Sequence, residues 1–352
     1  MDVPERHDEL GQPRIGATAN DVARRAGVSQ SAVSRTFTPG ASVSAPMRER
    51  VLRAASELGY RPNLIARSLT TRRTGMVGVA VGSLANHLYP GMLQALAAHL
   101  QAVGYRILLF TAPLDGNADP ELEQVMSYQV DALVLAATTV SSGLADQCRA
   151  AGIPVVLFNR TSDTTAASSV TGANRDGGEE IARLFASAGH RRPAFIAGDP
   201  NASTSRDREQ GFREGCAALG MPVPIVEVGG FSDDGARRAM TALLQRQERP
   251  DAVFCASDQM GLIAMDVARF GFGLKVPQDV SVAGFDDAPP ASWPTYGLTT
   301  YVQPILPMVE AAVSMILEQL ADPTAPQRRV VLPGRLIVRT SCRLPSDPES
   351  QP

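Results

Sequence analysis

Cysteine and histidine are scarce in this chain, and neither residue forms a cluster. Four cysteines and four histidines are scattered over 352 residues, without a C-x-x-C pair or a mixed Cys/His group. The sequence therefore predicts neither a zinc site nor a disulfide framework. No histidine has an evident nucleophile or base as a partner, and no G-x-G-x-x-G follows a strand pattern. We expect no catalytic residue, no metal and no cofactor, which disfavours an enzyme on a dinucleotide-binding sheet.

Long apolar runs are also absent. No stretch of about 18 apolar residues occurs, so no membrane span is predicted, although 44% of the residues are hydrophobic. No signal peptide is evident either. We therefore expect the protein in the cytoplasm and without a membrane partner. A secreted receptor for small ligands is the weaker alternative on this ground.

Positive charge is concentrated at the N-terminal end of the chain. Residues 1–73 contain twelve arginines and seven acidic residues, a net charge of +5, which leaves −8 for the rest of a chain whose total is −3. A basic segment on an acidic body is typical of a phosphate-binding module attached to another domain. A merely solvated basic surface is the alternative.

The segment 17–37 predicts two short helices joined by a tight turn. Thr18 and Asp21 form an N-terminal capping pattern, Gly27 suits the turn, and Ser29 suits the start of the second helix. The second helix has polar residues at Gln30, Ser31, Ser34 and Arg35. A helix-turn-helix places such a helix in the major groove of DNA, where Gln reads adenine and Arg reads guanine. An ordinary helical hairpin is the alternative.

A third amphipathic helix is predicted within 43–60, and a short helix follows at 63–69. Segment 18–69 resembles the DNA-binding head and hinge of the lactose-repressor (LacI) family. The matching motifs are T-x-x-DVA-x-x-AGVS-x-x-x-VSR, then VS-x-x-x-R-x-x-V-x-x-A-x-x-LGY-x-PN-x-x-A-x-x-L. The resemblance continues to about residue 342. It implies that the helix-turn-helix and hinge residues on DNA are Thr18, Gln30, Ser31, Ser34, Arg35, Asn63, Ala66 and Leu69, and that Leu69 inserts at the central base step.

Beyond residue 75 the chain alternates apolar strands with amphipathic helices, which indicates parallel sheets covered on both faces. The strand runs form two series, at 76–82, 106–112, 132–137 and 154–158, and then at 193–198, 223–229, 252–256 and 280–285. The residues alone predict two doubly wound halves. The resemblance adds that these form a periplasmic-binding-protein-like clamshell, so the fold class is α/β with an all-α helix-turn-helix head.

The expected boundaries follow from these patterns. The helix-turn-helix domain should span 15–62, the hinge helix and linker 63–74, and the ligand-binding and dimerisation domain 75–343. Within the last, we expect a first subdomain of about 75–171 plus 303–329 and a second of about 172–302 plus 330–343.

Ligands of such sheets bind beyond the carboxyl ends of the strands. Polar residues at those ends suit a polyol, because a carboxylate or guanidinium makes paired hydrogen bonds to neighbouring hydroxyls. The candidates for ligand contact are Asn86, Tyr89, Asn159, Arg160, Arg208, Ser257, Asp258, Asp286 and Trp293, and His87 and Thr111 also stand at strand ends. Trp293, the only tryptophan, could stack on a sugar ring or belong to the core.

The resemblance strengthens some of these candidates. Arg208 occupies the R of R-x-x-G-[FW], and Asp286 is the first Asp of G-[FY]-DD. Ser257-Asp258 occupies the place of an N-D or S-D pair that contacts the effector in the family, and Asn159-Arg160 matches the N-R pair that ends the fourth strand. Two departures, Asn86-His87-Leu88-Tyr89 for N-P-F-[FY] and Ala173-Asn174 for D-N, mean that no relative's ligand can simply be transferred.

The function implied is a transcriptional regulator, expected to be a repressor, that binds double-stranded operator DNA as a homodimer on a near-palindromic site. A tetramer is left open. The expected effector is a small molecule, with a sugar or sugar derivative first and a purine or other metabolite second. An activator is the alternative for the direction of control.

Overall fold

The computed structural model describes residues 16–38, 40–61, 73–82, 84, 86–111, 127–136, 147–162 and 167–344. The chain divides into two compact units, Met1–Thr74 and Gly75–Pro352. The expected hinge helix lies outside the described residues.

The described part of the N-terminal unit contains three helices: α1 (Ala19–Ala26), α2 (Gln30–Thr36) and α3 (Ala45–Glu57). Thr18 and Asp21 form the predicted capping box at the start of α1. Gly27 has φ of 65°, so it makes the predicted tight turn. The core of the unit consists of Val22, Ala23, Val33, Val51, Ala54 and Ala55.

The larger unit contains two six-stranded sheets. The first sheet has the order β11-β5-β4-β3-β1-β2 and all its pairs are parallel. Its strands are β1 (Met76–Val81), β2 (Arg106–Thr111), β3 (Ala132–Ala136), β4 (Val155–Phe158), β5 (Ser168–Gly172) and β11 (Arg329–Leu332). Helices α4 (Leu88–Ala102) and α9 (Ile305–Ala321) pack against each other over this sheet. We call this sheet and its helices the first lobe.

The second sheet has the order β12-β10-β9-β8-β6-β7, with only β12 antiparallel to its neighbour. Its strands are β6 (Pro193–Ala197), β7 (Ile225–Val228), β8 (Ala252–Cys255), β9 (Ser281–Asp286), β10 (Thr299–Val302) and β12 (Arg335–Ile337). Its helices are α5 (Asn174–Ser187), α6 (Ser203–Ala218), α7 (Asp233–Leu244) and α8 (Asp258–Asp266). We call this sheet and its helices the second lobe.

The chain crosses between the lobes three times. The crossings lie after β5, after β10, and between β11 and β12. The sequence places the last crossing at 329/330, but β11 pairs in the first sheet through Leu332. That boundary is therefore corrected to the Pro333-Gly334 turn. The reason is that Val330 and Val331 continue the apolar strand as a partner of β5.

Two glycines bring α5 and α6 into backbone contact. A Cβ at Gly178 would lie 2.4 Å from the Arg208 carbonyl oxygen, and one at Gly211 would lie 2.0 Å from the Arg175 carbonyl oxygen. No real side chain fits at such distances. The close packing of these helices fixes the position of α6, and with it the position of the arginine at its centre.

Candidate functional site

The helix α2 presents a polar face on a buried support. Ala32, Val33 and Thr36 are buried against the other two helices, and the Ser29 hydroxyl accepts the Ala32 amide at 3.3 Å. The four side chains of this helix that are predicted to contact DNA are exposed: Gln30, Ser31, Ser34 and Arg35. Positions four apart lie on one helical face, so these side chains share one surface. Their contact with DNA remains a prediction.

The other four predicted DNA contacts do not belong to α2. Thr18 is committed to its helix cap, because its hydroxyl donates to Asp21 Oδ2 at 2.8 Å and accepts the Asp21 amide at 3.3 Å. Its side chain therefore acts first as a structural cap. Asn63, Ala66 and Leu69 lie outside the described residues.

In the larger unit, Arg208 is the centre of a buried polar cluster. Its Nε donates to Asn174 Oδ1 at 2.8 Å, one Nη donates to the Ala256 carbonyl, and the other lies 3.4 Å from Asp286 Oδ1. The guanidinium also stacks on the Phe285 ring at 3.7 Å from its centroid. Arg208 is only 1% exposed. Burial lowers its pKa, and the charge of Asp286 opposes that shift.

The predicted carboxylates Asp258 and Asp286 have different partners. Asp258 is held by the protein itself, because Oδ1 accepts the Thr300 hydroxyl at 2.6 Å and Oδ2 accepts the Ala288 amide at 2.7 Å. Asp286 faces Arg208 and the Gln303 side chain instead. Burial raises the pKa of both carboxyl groups; the charge of Asp286 raises that of Asp258 further, whereas Arg208 lowers that of Asp286. Of the two carboxylates, Asp286 is thus the one that faces Arg208, and its contact with a ligand remains a prediction.

The second aspartate of the same motif is occupied elsewhere. Asp287 accepts from the Arg339 guanidinium at 2.6 Å. Asn159, Asp286 and Asp287 all have positive φ, at 55°, 120° and 56°. Non-glycine residues are strained in this region, and such strain is concentrated at functional sites. It supports a functional role for the strand ends that carry these residues.

Asn159 and Arg160 extend from β4 toward the second lobe. Asn159 Oδ1 accepts from Gln303 Nε2 at 2.9 Å. Arg160 donates through one Nη to its neighbour's carbonyl at 3.1 Å and to the Thr204 hydroxyl. Its guanidinium carbon lies 5.8 Å from the centroid of the Phe231 ring. The structure therefore brings both predicted residues into the same cluster as Arg208, at the junction of the two lobes. We call this junction the interlobe cleft.

Tyr89 also belongs to this cluster. It is buried at the start of α4, and burial raises the pKa of its phenol, while the charge of Arg160 opposes the rise. The charges of Asp286 and Arg208 act on it as well. The cluster therefore contains groups from both lobes, as a ligand cleft requires.

Four other predicted residues are not joined to the cluster by a hydrogen bond. Ser257 caps α8, and its hydroxyl accepts the Met260 amide at 3.4 Å. Asn86 accepts the Leu88 amide at 3.0 Å before α4. Thr111 is exposed at the end of the edge strand β2. Trp293 is 54% exposed, which excludes the core alternative for its side chain.

Sequence reasoning missed three members of the cluster. Asn174 orients Arg208, Gln303 lies between Asn159 and Asp286, and Thr204 accepts from Arg160. Asn174 stood in a noted departure from the family pattern, and Thr204 precedes Arg208 by one helical turn. Both positions carried a signal that could have identified them.

Two features are absent from the described residues. No group of three or more His, Cys, Asp or Glu side chains there could hold a metal ion. Within the same ranges, no helix has the length and apolar character needed to cross a membrane.

Comparisons with known proteins agree with both parts of the structure. The profile of bacterial regulatory proteins of the lacI family matches residues 18–63, and that of the periplasmic binding protein-like domain matches residues 182–342. The HTH-type transcriptional regulator CelR of Thermobifida fusca is 34% identical over 92% of this chain and 98% of its own length. The ribose operon repressor of Escherichia coli (strain K12) is 31% identical over 92% and 99%.

Solved structures give the same result. The complex of the transcriptional regulator CelR with cellobiose superposes with a TM-score of 0.70 at 33% identity, over 92% of this chain and 99% of that one. The lac repressor dimer bound to operator and the anti-inducer ONPF superposes with a TM-score of 0.81 at 28% identity, over 93% and 99%. The chain is a DNA-binding transcriptional regulator and belongs to the LacI family of bacterial regulatory proteins.

Proposed function

We propose that this protein represses transcription by binding a near-palindromic operator as a homodimer, under the control of a sugar or sugar derivative in the interlobe cleft. The observation that carries the proposal is the pairing of an exposed polar face on α2 with a buried cluster of polar groups between two lobes. The first suits the edges of base pairs and the second suits a polyol.

On DNA, Gln30 and Arg35 have the side chains for direct readout. Gln makes paired hydrogen bonds to adenine, and Arg does so to guanine. Ser31 and Ser34 lie beside them on the same exposed face. For Asn63, Ala66 and Leu69, the family resemblance supports a hinge that enters the minor groove, where an apolar wedge kinks DNA at a cost of a few kcal/mol.

In the cleft, Arg208 and Asp286 are the residues that we propose contact the effector. An Nη of Arg208 lies 3.4 Å from Asp286 Oδ1. Arg208 belongs to α6, which the close contact with α5 fixes in place, and Asp286 ends β9. A guanidinium beside a carboxylate can bind neighbouring hydroxyls in pairs. The CelR complex with cellobiose and the ribose operon repressors support a sugar as the effector.

The proposal includes a homodimer, the absence of enzymatic turnover and a location in the cytoplasm. The lac repressor dimer bound to operator supports a homodimer here. The relatives are regulators, which supports a protein without enzymatic turnover. Operator DNA as the partner supports a location in the cytoplasm.

Selection of operators from random DNA by the unmodified full chain tests the proposal. We expect a near-palindromic consensus, because a two-fold dimer reads two half-sites. The affinity for that consensus is then measured with and without cellobiose, ribose, other sugars and sugar phosphates.

Ligand control must be reciprocal, since the operator changes the affinity for the sugar by the same factor that the sugar changes the affinity for the operator. A sugar that binds with equal affinity in the presence and absence of operator would refute ligand control. A consensus without half-site symmetry would refute the dimer.

A further inference from the structure

We propose that three consecutive residues, 159–161, form a clasp between the lobes. The clasp sets the angle between the two lobes and couples the effector to the first lobe. The clasp itself is a property of the larger unit. Its effect on operator binding rests on the proposed function. Each of its residues leaves the end of β4 in the first lobe and makes a hydrogen bond to a residue that follows or lies within a second-lobe element.

The inner end of the clasp lies at a crossing between the lobes. Asn159 Oδ1 accepts from Gln303 Nε2 at 2.9 Å, and the same Nε2 lies 3.4 Å from Asp286 Oδ1. Gln303 directly follows the last strand before the crossing into α9. Its Oε1 is buried beside Gly172, where a Cβ would approach it to 2.2 Å. Gln303 therefore lies in the crossing after β10 and contacts Gly172, where the chain crosses after β5. It also lies beside Asp286, a candidate for effector binding.

The outer end of the clasp engages the first turn of α6. Arg160 donates to the Thr204 hydroxyl, and the Thr161 amide donates to the Ser203 hydroxyl at 2.9 Å. Arg160, Ser203 and Thr204 are 7%, 3% and 1% exposed. Hydrogen bonds of this kind are strengthened when they are shielded from water. The two lobes are thus joined at the start of α6 as well as at the crossing.

The helix α6 connects the clasp to the effector-binding arginine. Thr204 and Arg208 are four residues apart and so lie on one helical face. The helix moves as a unit, because the contact between Gly178 and Gly211 locks it against α5. Because α6 is fixed within the second lobe, an effector that draws this lobe through Arg208 moves Thr204 together with it. Arg160 is a positioning residue in this scheme, since its Nη1 is already committed to Thr204 and to the Asn159 carbonyl.

Hydrogen exchange of the full chain tests the clasp without any effector. Thr204→Val removes the acceptor of Arg160 at nearly constant volume, and we expect exchange of the Thr161 amide to accelerate about five- to tenfold, the factor that corresponds to one hydrogen bond. The Thr161 amide keeps its own acceptor in this variant, so its faster exchange would report loss of the clasp. Ser205→Ala is the matched control, because Ser205 is equally buried on the same turn and has no hydrogen bond to 159–161.

Two results would overturn the clasp. One is unchanged exchange at 159–161 in Thr204→Val, and the other is a uniform acceleration across the second lobe, which would mean general destabilisation. Arg160→Met and the double variant provide an independent check. If the clasp acts as a unit, the double variant accelerates exchange no more than either single variant. Effects that multiply would contradict it.

The same variants separate the clasp from the proposed function. For a sugar that changes operator affinity in the unmodified protein, we expect that change to shrink about five- to tenfold in Thr204→Val and to persist in Ser205→Ala. An unchanged factor in Thr204→Val would overturn the coupling. If the unmodified protein responded to no sugar, the proposed function would fail, and the exchange measurements would still decide whether the clasp exists.

Discussion

Polar side chains are exposed on helix α2 but buried in the interlobe cleft. On α2, Gln30 and Arg35 are exposed, and their support is an apolar core of small residues. In the cleft, Arg208 and Asp286 are buried, and their support is the hydrogen bonding of other polar groups. An exposed side chain can be exchanged without loss of the fold. A buried one carries both binding and stability, because removal of one partner leaves another unpaired.

The largest expected effect is at Arg208. Arg208→Met leaves Asp286 and Asn174 buried without their cationic partner, so we expect the free energy of unfolding to fall by about 3–5 kcal/mol. Urea unfolding of the full chain measures it. Arg213→Met, on the same helix, removes a partly exposed pair with Glu209 at 2.8 Å and should cost less than about 1 kcal/mol. Equal losses in the two variants would remove the contrast between exposed and buried arginine.

Arg35, in the N-terminal unit, should affect DNA binding much more than stability. Arg35→Ala is expected to change stability by less than about 0.5 kcal/mol, because its side chain is exposed. It should weaken binding by about 1–3 kcal/mol at one operator position and relax the base preference there. Affinities for a set of single-base operator variants measure this. A uniform loss across all sequences would make Arg35 a phosphate contact.

The last expected effect is the contribution of Asp258 to the pH dependence of stability. Its raised pKa means that the folded state holds a proton that the unfolded state, with a pKa near 3.8, has already released. This group therefore lowers the free energy of unfolding as pH rises from about 3.8 toward its folded pKa, with a slope of at most about 1.4 kcal/mol per pH unit.

Asp258→Asn removes that titration and keeps an acceptor for the Ala288 amide. Urea unfolding at a series of pH values should show a flatter loss of stability toward high pH than in the unmodified chain. Glu248→Gln, at an exposed position, should leave the slope unchanged. An identical slope in Asp258→Asn and the unmodified chain would show that Asp258 titrates normally.

The same contrast explains what could be predicted from the sequence. The polar face of α2 repeats with the helical period, so its residues were identified from local spacing alone. Arg208 and Asp286 were found because they stand in recognisable motifs at the ends of apolar runs. The contact between Asn159 and Gln303 joins residues 144 positions apart, and that between Arg160 and Thr204 joins residues 44 apart.

No local pattern encodes such partners. Ser257 and Asp258 show a second limit, since their position as a polar pair at a strand end predicts ligand contact but not their partners within the protein. In the structure, the hydrogen bonds of these two side chains go to the α8 cap, the Ala288 amide and Thr300. Strand-end position identifies a region of the fold, but the direction of each side chain depends on neighbours from distant strands.

The backbone contact between α5 and α6 limits how this cleft can evolve. Since neither Gly178 nor Gly211 can accept a side chain without separating the two helices, the arginine at position 208 stays at one depth below the surface of the lobe. New effectors must then be accommodated by exchange of the side chains around it, not by a shift of the helix. Regulators that share this glycine contact should therefore differ in the residues that surround the arginine while keeping it in place.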